Sequence, residues 1–341
     1  MALNRRVFLA SLPMCGALAA CASNQHTAHS GYEYSEDVAT SPPGAKGTIL
    51  VCMPQTTQTR EVWTGLNDEL GKQYRLVIVH CDGERVAESI AEGIRRHEPA
   101  GLVLMNNPTV AAYRQVQATS TAKSFPPAVI VMTSFLDGQP HHVTAATGIS
   151  YEVPLITVVT TLRKLIATPI ERVGVVLRAS QSGFVRRQAA LARREQISVV
   201  GEQISPNPNS SELRRALRLL KQRADVLWIL NDDRVLTSSL IAEGWVPGIN
   251  ERPWLPTIVG AASLVSPQES FGTFAVLPDH TALGVQAAGL LFDLADNDWQ
   301  VPSDAQVQLP LSTTTSVDIV QARERFALRA DALSQVDRIL E

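Results

Sequence analysis

Two hydrophobic periods alternate along this chain. Short runs of β-branched and aliphatic residues are separated by stretches in which apolar positions return every three or four residues. Thr48–Met53, Arg75–His80, 102–105 and 128–132 are such runs, too short for helices, and read as buried strands. Between them the spacing predicts helices over 60–71, with Val62, Leu66 and Leu70 on one face, and over 109–120. The clearest helical face is Val86, Ala87, Ile90, Ala91 and Ile94, with charges opposite. A second set follows: a helix over 153–166, a strand over 173–177, a basic helix over 184–195 and a strand over 197–200. Then come a helical face of Leu213, Ala216, Leu217 and Leu220, a strand over 226–230, a helix over 235–243 and a strand at Thr257–Val259. The tail adds a strand over 273–277, a helix over 279–295 with Leu283, Ala287, Leu290, Leu291 and Leu294 inward, a strand-like stretch over 307–315 and a helix from Val317.

Such alternation implies parallel sheets wrapped by helices, an α/β protein. The stretch over 127–152 separates one full strand-and-helix set from the next and reads as the crossover between them. The expected fold is therefore two doubly wound parallel-sheet lobes joined by a multi-strand hinge. With 341 residues, 45% of them hydrophobic, the chain can bury a core in each lobe. The net charge of −3, with no basic block, argues against a nucleic-acid partner. Beyond the N-terminus no apolar run approaches the roughly 20 residues that span a bilayer.

The N-terminus is a separate piece. Arg5 and Arg6 precede an apolar stretch over 7–20, the layout of an export signal, and Arg-Arg-x-Phe-Leu resembles a twin-arginine signal, with the general secretory route the alternative. Leu18-Ala19-Ala20-Cys21 resembles a bacterial lipobox at the end of the apolar stretch, so residues 1–20 are expected as signal peptide and Cys21 as the lipidated residue, the alternative being a plain secretory signal with a coincidental cysteine. Ala22 follows the cysteine where an Asp would retain a lipoprotein, which permits transfer to the outer membrane. Loss of residues 1–20 would remove Arg5 and Arg6 and leave 28 basic against 33 acidic residues, net −5. Residues 22–47 are polar and aperiodic, broken by Pro42-Pro43-Gly44, and read as a flexible tether. Cys52 and Cys81 end neighbouring predicted strands, where a disulfide is geometrically awkward, and buried free thiols are favoured. Their spacing does not suggest zinc, and no cofactor is expected.

Ligands of doubly wound sheets sit beyond the carboxyl ends of the strands, among loops and helix N-termini. That places Gln55 and Thr56, Asn106, and Ser134 and Phe135 at the cleft in the first lobe. The second lobe brings Arg178, Ser180 and Ser182, Asn231 and Asp232, and the loop over 260–263. These loops are polar and poor in nucleophiles, which suits binding better than reaction.

Thr147-Gly148-Ile149-Ser150, Val173-Gly174-Val175-Val176-Leu177, Ala224-Asp225-Val226-Leu227-Trp228 and above all the run from Asp279 to Ala288 resemble ABC-transporter substrate-binding proteins of the type I periplasmic fold. The subgroup they most resemble binds tryptophan and other aromatic amino acids. The resemblance covers about 48–325 and is strongest over 147–295. It implies lobe one as 48–150 plus 271–298 and lobe two as 151–270 plus 299–325, leaving 326–341 as a C-terminal helix. It also implies ligand contacts from Ser134, Thr147, Ser180, Ser182, Asn231 and Asp232. The chain departs from the subgroup at Asn231-Asp232-Asp233-Arg234, at Ala261-Ala262 and at Arg178.

Single residues admit two readings each. Arg178 could grip a ligand carboxylate bidentately or pair with Asp232, and the internal pair is favoured. Asp232 could hold a ligand ammonium or cap the following helix. Phe135, Tyr151 and Phe184 could stack on a ligand or belong to the core, Trp228 reads as core, and Asp279 as a helix cap. Ser120-Thr121-Ala122-Lys123 matches Ser-x-x-Lys without its companion motifs, and His141-His142 has no glutamate at metalloprotease spacing. No active site and no metal site is expected. The expectation is a monomeric, lipid-anchored receptor in the bacterial envelope, facing the periplasm and passing a small polar or amino-acid-like solute to an ABC permease. The alternative is an outer-membrane lipoprotein of the same fold that contacts an envelope enzyme or a sensor kinase without transport.

Overall fold

The structure, a computed structural model, describes residues 34–122, 124–136, 143–265 and 270–341. The expected signal peptide, Cys21, the first part of the tether, Lys123 and the His141-His142 pair lie outside the described residues.

The first lobe begins with β1 (Glu36–Thr40), β2 (Thr48–Met53), α1 (Thr57–Leu70), β3 (Arg75–His80) and α2 (Val86–His97). It continues through β4 (Gly101–Met105), α3 (Asn107–Thr119), β5 (Ala128–Thr133) and β6 (Ala146–Ser150). The second lobe holds α4 (Leu155–Leu165), β7 (Arg172–Arg178), α5 (Ser182–Ala192), β8 (Ser198–Ile204) and α6 (Ser210–Lys221). After these come β9 (Val226–Ile229), α7 (Ser238–Leu240), α8 (Val246–Asn250) and β10 (Thr257–Val259). The chain ends with β11 (Phe274–Pro278), α9 (His280–Asp296), β12 (Thr313–Asp318), α10 (Ile319–Arg325) and β13 (Arg338–Leu340). One sheet has the order β1-β3-β2-β4-β5-β6 and the other β13-β12-β11-β10-β9-β7-β8. The pairings are parallel except β1 with β3 and β11 with β12.

The period of two along each strand sorts its side chains into two cores. In β2, Ile49, Val51 and Met53 meet Val62 and Leu66 of α1 and Leu283 and Leu291 of α9. Leu50 and Cys52 face the other way, toward Ile90 of α2 and Tyr113 of α3. The second sheet is covered likewise, by α4 and α5 on Val173 and Val175, and by α6 and α8 on Val176 and Ile229. Helices α1 and α9 cross at backbone contact. A Cβ on Gly65 would stand 2.0 Å from the Thr281 carbonyl oxygen, and one on Gly284 would stand 2.0 Å from that of Val62. Only glycine permits that approach.

Four expectations need correction. The tether over 22–47 does not stay free to its end, because β1 pairs antiparallel with β3. Tyr34 donates to Glu36 at 2.6 Å, Glu36 meets His97 at 2.6 Å, and Asp37 meets His80 at 2.8 Å. His80 and His97 lie far along the chain from these carboxylates, so local sequence carries no sign of them. The segment 271–298 divides: β11 joins the second sheet between β10 and β12, while α9 packs on α1. The C-terminal helix over 326–341 is replaced by a 3-10 turn (Ala332–Gln335) and the short parallel strand β13 beside β12. The helix over 235–243 starts later, passes through a π-helical turn (Ile241–Trp245) and continues as α8. Pro247 has no N–H to bond back to Glu243, and the wider turn accommodates the loss.

Cys52 and Cys81 are both buried free thiols. Among the described residues no helix is long and apolar enough to cross a membrane.

Candidate functional site

The carboxyl ends of both sheets face a cavity of about 520 Å³. The first lobe contributes Asn107, Ser134 and Phe135, and the second contributes the ends of β7 and β9 with the first turn of α5. The size falls within the ~300–1,000 Å³ usual for small-molecule pockets.

On the first-lobe wall the backbone is held in unusual conformations. Asn106, Met132 and Phe135 have φ of 89°, 57° and 59°, a left-handed region that side chains rarely enter without fixed partners. Phe135 has such partners. The Phe135 N–H donates to both Glu152 carboxylate oxygens at 2.9 Å, and Ser134 N–H donates to Asn107 Oδ1 at 2.9 Å. Glu152 also accepts from the Ser150 hydroxyl at 3.3 Å. The loop that carries Ser134 and Phe135 is thus fixed from the crossover strand on one side and from α3 on the other.

On the second-lobe wall Arg178 ends β7 and Asp232 follows β9. Arg178 Nε donates to Asp232 Oδ2 at 2.7 Å and Nη2 to Oδ1 at 2.6 Å, a two-pronged ion pair. Asp232, only 4% exposed, also accepts the Arg234 N–H at 3.1 Å. The hydrogen bond to Asp232 raises the Arg178 pKa above its ordinary value. The internal pair favoured from the sequence is the one that forms, and Asp232 does not cap a helix at Val235. Gln181, buried, turns its Oε1 to the Arg178 N–H at 3.0 Å and fixes the 3-10 turn (Ala179–Gln181) that presents Ser180. Asn231 donates to the Gly260 carbonyl at 3.0 Å, and a Cβ at residue 260 would lie 2.4 Å from the Asn231 Oδ1. A side chain at that position would push the Asn231 amide out of place.

The floor is aromatic. Phe135 meets Phe184 edge to face at 5.2 Å between ring centroids, and Phe184 lies 5.8 Å from Trp228, so side chains of the two lobes touch there.

Of the residues expected at the cleft, Ser134, Phe135, Arg178, Ser180, Asn231 and Asp232 line the cavity. The rest do other work. Thr56 caps α1, Asn106 caps α3 by accepting the Thr109 N–H at 3.0 Å, and the Gln55 N–H is held by Asp82. Thr147 is buried within β6, and Ser182 opens α5. Cavity residues not anticipated as contacts are Asn107, Gln181, Gly183, Arg187 and Asp233. Asn107, Gln181 and Asp233 belong to loops placed at the cleft, each beside an expected contact. Arg187 lies one helical turn inside α5, where a loop-based reading does not look.

A second, smaller cavity of about 110 Å³ lies between the N-terminal ends of α1 and α9 and the strands β12 and β13. Beside it Tyr151 and His280 stack with rings 4° from parallel, and the Tyr151 hydroxyl sits 3.0 Å from His280 Nε2. His280 Nδ1 lies 2.8 Å from Glu61, which also receives Arg338 from β13 at 3.4 Å. Burial pushes the Tyr151 phenol up to about 12. Asp279 caps α9, as expected, by accepting the Ala282 N–H at 3.1 Å.

No family model matches the chain, and no curated protein matches it. Solved structures do. A ligand-free, open substrate-binding protein with adhesive properties from Clostridium difficile superposes with a TM-score of 0.60 at 14% identity, over 86% of this chain and 98% of the other. An ABC domain in complex with L-Trp from Streptococcus pneumonia gives 0.56 at 14% identity, over 86% and 100%. A conserved domain protein from Vibrio cholerae gives 0.55 at 20% identity, over 86% and 98%. The chain has the type I periplasmic-binding-protein-like fold, with two sheets in which parallel pairing predominates.

Proposed function

We propose that this protein is a lipid-anchored solute receptor of an ABC import system, held at the envelope through Cys21 and facing the periplasm. It captures a small polar or amino-acid-like solute between its lobes and presents it to a permease. The observation that carries this reading is the cavity of about 520 Å³ walled from both lobes, with Ser134 and Phe135 opposite Arg178, Ser180 and Asn231. Among the described residues no group of three or more His, Cys, Asp or Glu is placed to hold a metal ion. The residues read as ligand contacts are Ser134, Phe135, Arg178, Ser180, Asn231 and Asp232.

The mechanism is hinge closure. Three passages join the lobes: from β6 into α4, from β11 into α9, and from α9 back to β12. A solute that touches both walls binds the closed arrangement more tightly than the open one and shifts the population by that difference. The fold relationship to substrate-binding proteins supports the reading.

Isothermal titration against amino acids, sugars and nucleosides, combined with small-angle scattering, tests it. Saturable heat accompanied by a smaller radius of gyration is expected. Neither heat nor compaction across the panel would overturn it.

A further inference from the structure

We propose that the cleft takes an uncharged solute, one with an apolar face and a rim of hydroxyl or amide groups, and that the Arg178–Asp232 pair turns charged solutes away. The inference rests on the receptor reading above and narrows it to a ligand class.

The charged side chains of the cavity wall are Arg178, Arg187, Asp232 and Asp233, which sum to no net charge. All four stand on the second-lobe wall, and two of them, Arg178 and Asp232, are committed to each other. Both prongs of the Arg178 fork close on Asp232 at 2.6 and 2.7 Å. A ligand carboxylate that drew Arg178 away would strand a carboxylate that is 4% exposed, a loss the new pair would have to repay in full. A ligand ammonium meets a related obstacle: the Arg178 fork already neutralises Asp232, whose two oxygens accept three hydrogen bonds out of about four possible, so little charge is left to attract it. A free amino acid needs both charges met at once.

The neutral polar groups are placed differently. Asn107 uses its Oδ1 on the Ser134 N–H, which leaves its amide NH2 as a donor. Asn231 uses its Nδ2 on the Gly260 carbonyl, which leaves its Oδ1 as an acceptor. Ser134 and Ser180 add hydroxyls that can serve either way. One lobe thus offers a donor and the other an acceptor, and Phe135, half-buried over Phe184, offers an apolar surface. That set matches a sugar ring or a nucleoside, not a zwitterion.

Titration of the wild-type protein with uridine, adenosine and glucose, and separately with L-tryptophan, L-leucine and L-glutamate, distinguishes these classes. At least one neutral probe is expected to bind about tenfold or more tightly than every amino acid. Asp232→Asn, and Asp232→Ser as a second variant, free the guanidinium and are expected to gain about tenfold in affinity for a carboxylate probe such as indole-3-acetate. An amino acid preferred by the wild type, or no gain in either folded variant, would overturn the proposal. If no probe binds and scattering shows no compaction, the receptor reading fails and this inference fails with it.

Discussion

Glu152 and Phe135 are joined across the crossover: both carboxylate oxygens accept the Phe135 N–H at 2.9 Å. Glu152 stands where the chain leaves β6 for the second lobe, and Phe135 stands on the cleft wall in contact with Phe184. One side chain therefore links the passage between the lobes to the wall of the cavity.

Removing that side chain frees a backbone held at φ 59°, a conformation that costs about 1–3 kcal/mol when nothing holds it. Glu152→Ala is expected to lower unfolding free energy in urea by about 1–3 kcal/mol, the penalty of an unmet buried N–H. Glu152→Gln keeps one acceptor oxygen and should lose less. No loss in Glu152→Ala would show that the carboxylate does not hold the loop.

The crossing of α1 and α9 makes a sharper demand. A methyl group at residue 284 would sit 2.0 Å from the Val62 carbonyl oxygen, inside any allowed contact. Since α9 leaves β11 of the second sheet to lie on the first lobe, the two helices must part or the passage between lobes must shift. Gly284→Ala is expected to cost about 1–3 kcal/mol, read as a lower urea midpoint, despite the better helix propensity of alanine. An unchanged or higher midpoint would refute the packing argument.

The two periods of hydrophobicity made most of this architecture legible. Strands such as β2, buried on both faces, leave continuous apolar runs, and helices such as α2 leave a one-sided stripe. What escaped depends on partners distant in sequence. β1 is polar and largely exposed; it pairs with β3, and its side chains meet His80 and His97, 43 and 61 residues from their respective acidic partners. Glu152 gives no local sign of its task, because its partner is a backbone N–H 17 residues earlier. At the cleft the loops were legible from topology, since ligands gather at the carboxyl ends of parallel strands. The choice between neighbours such as Asn106 and Asn107 was not, because it turns on which side chain caps α3.

Lys221 introduces a pH dependence. It is buried at the end of α6, donates to the Ile249 carbonyl at 3.0 Å and to the Glu251 carbonyl, and burial lowers its pKa to about 8. The unfolded chain keeps a proton there up to about 10.4. Between the two values the unfolded state binds more protons, so this group makes stability rise with pH, by up to ~1.4 kcal/mol per unit. Tyrosines shifted upward act in the opposite sense only above about pH 10. The difference in unfolding free energy between wild type and Lys221→Met should therefore change in favour of the wild type from pH 8 to pH 10. A flat difference over that window would mean that the amine is not titrating from a buried state.

Strand β1 is held by an ionised carboxylate. Burial disfavours the charge on Glu36, yet hydrogen bonds from Tyr34 and His97 outweigh it and keep the carboxyl below its usual value. Arg96 adds its charge from 4.6 Å over the Tyr34 ring. A depressed carboxyl pKa contributes stability that is present above the unfolded value of about 4.3 and is lost as pH falls through the folded value. Amide exchange followed by mass spectrometry should show residues 36–40 protected at pH 7, with less protection, relative to β2, as pH drops below about 4. Glu36→Ala should lose that protection already at pH 7 while β2 and β4 keep theirs. Protection of β1 that survives both treatments would show that the backbone pairing with β3 suffices by itself, and that the ring of Tyr34, Glu36 and His97 adds nothing to it.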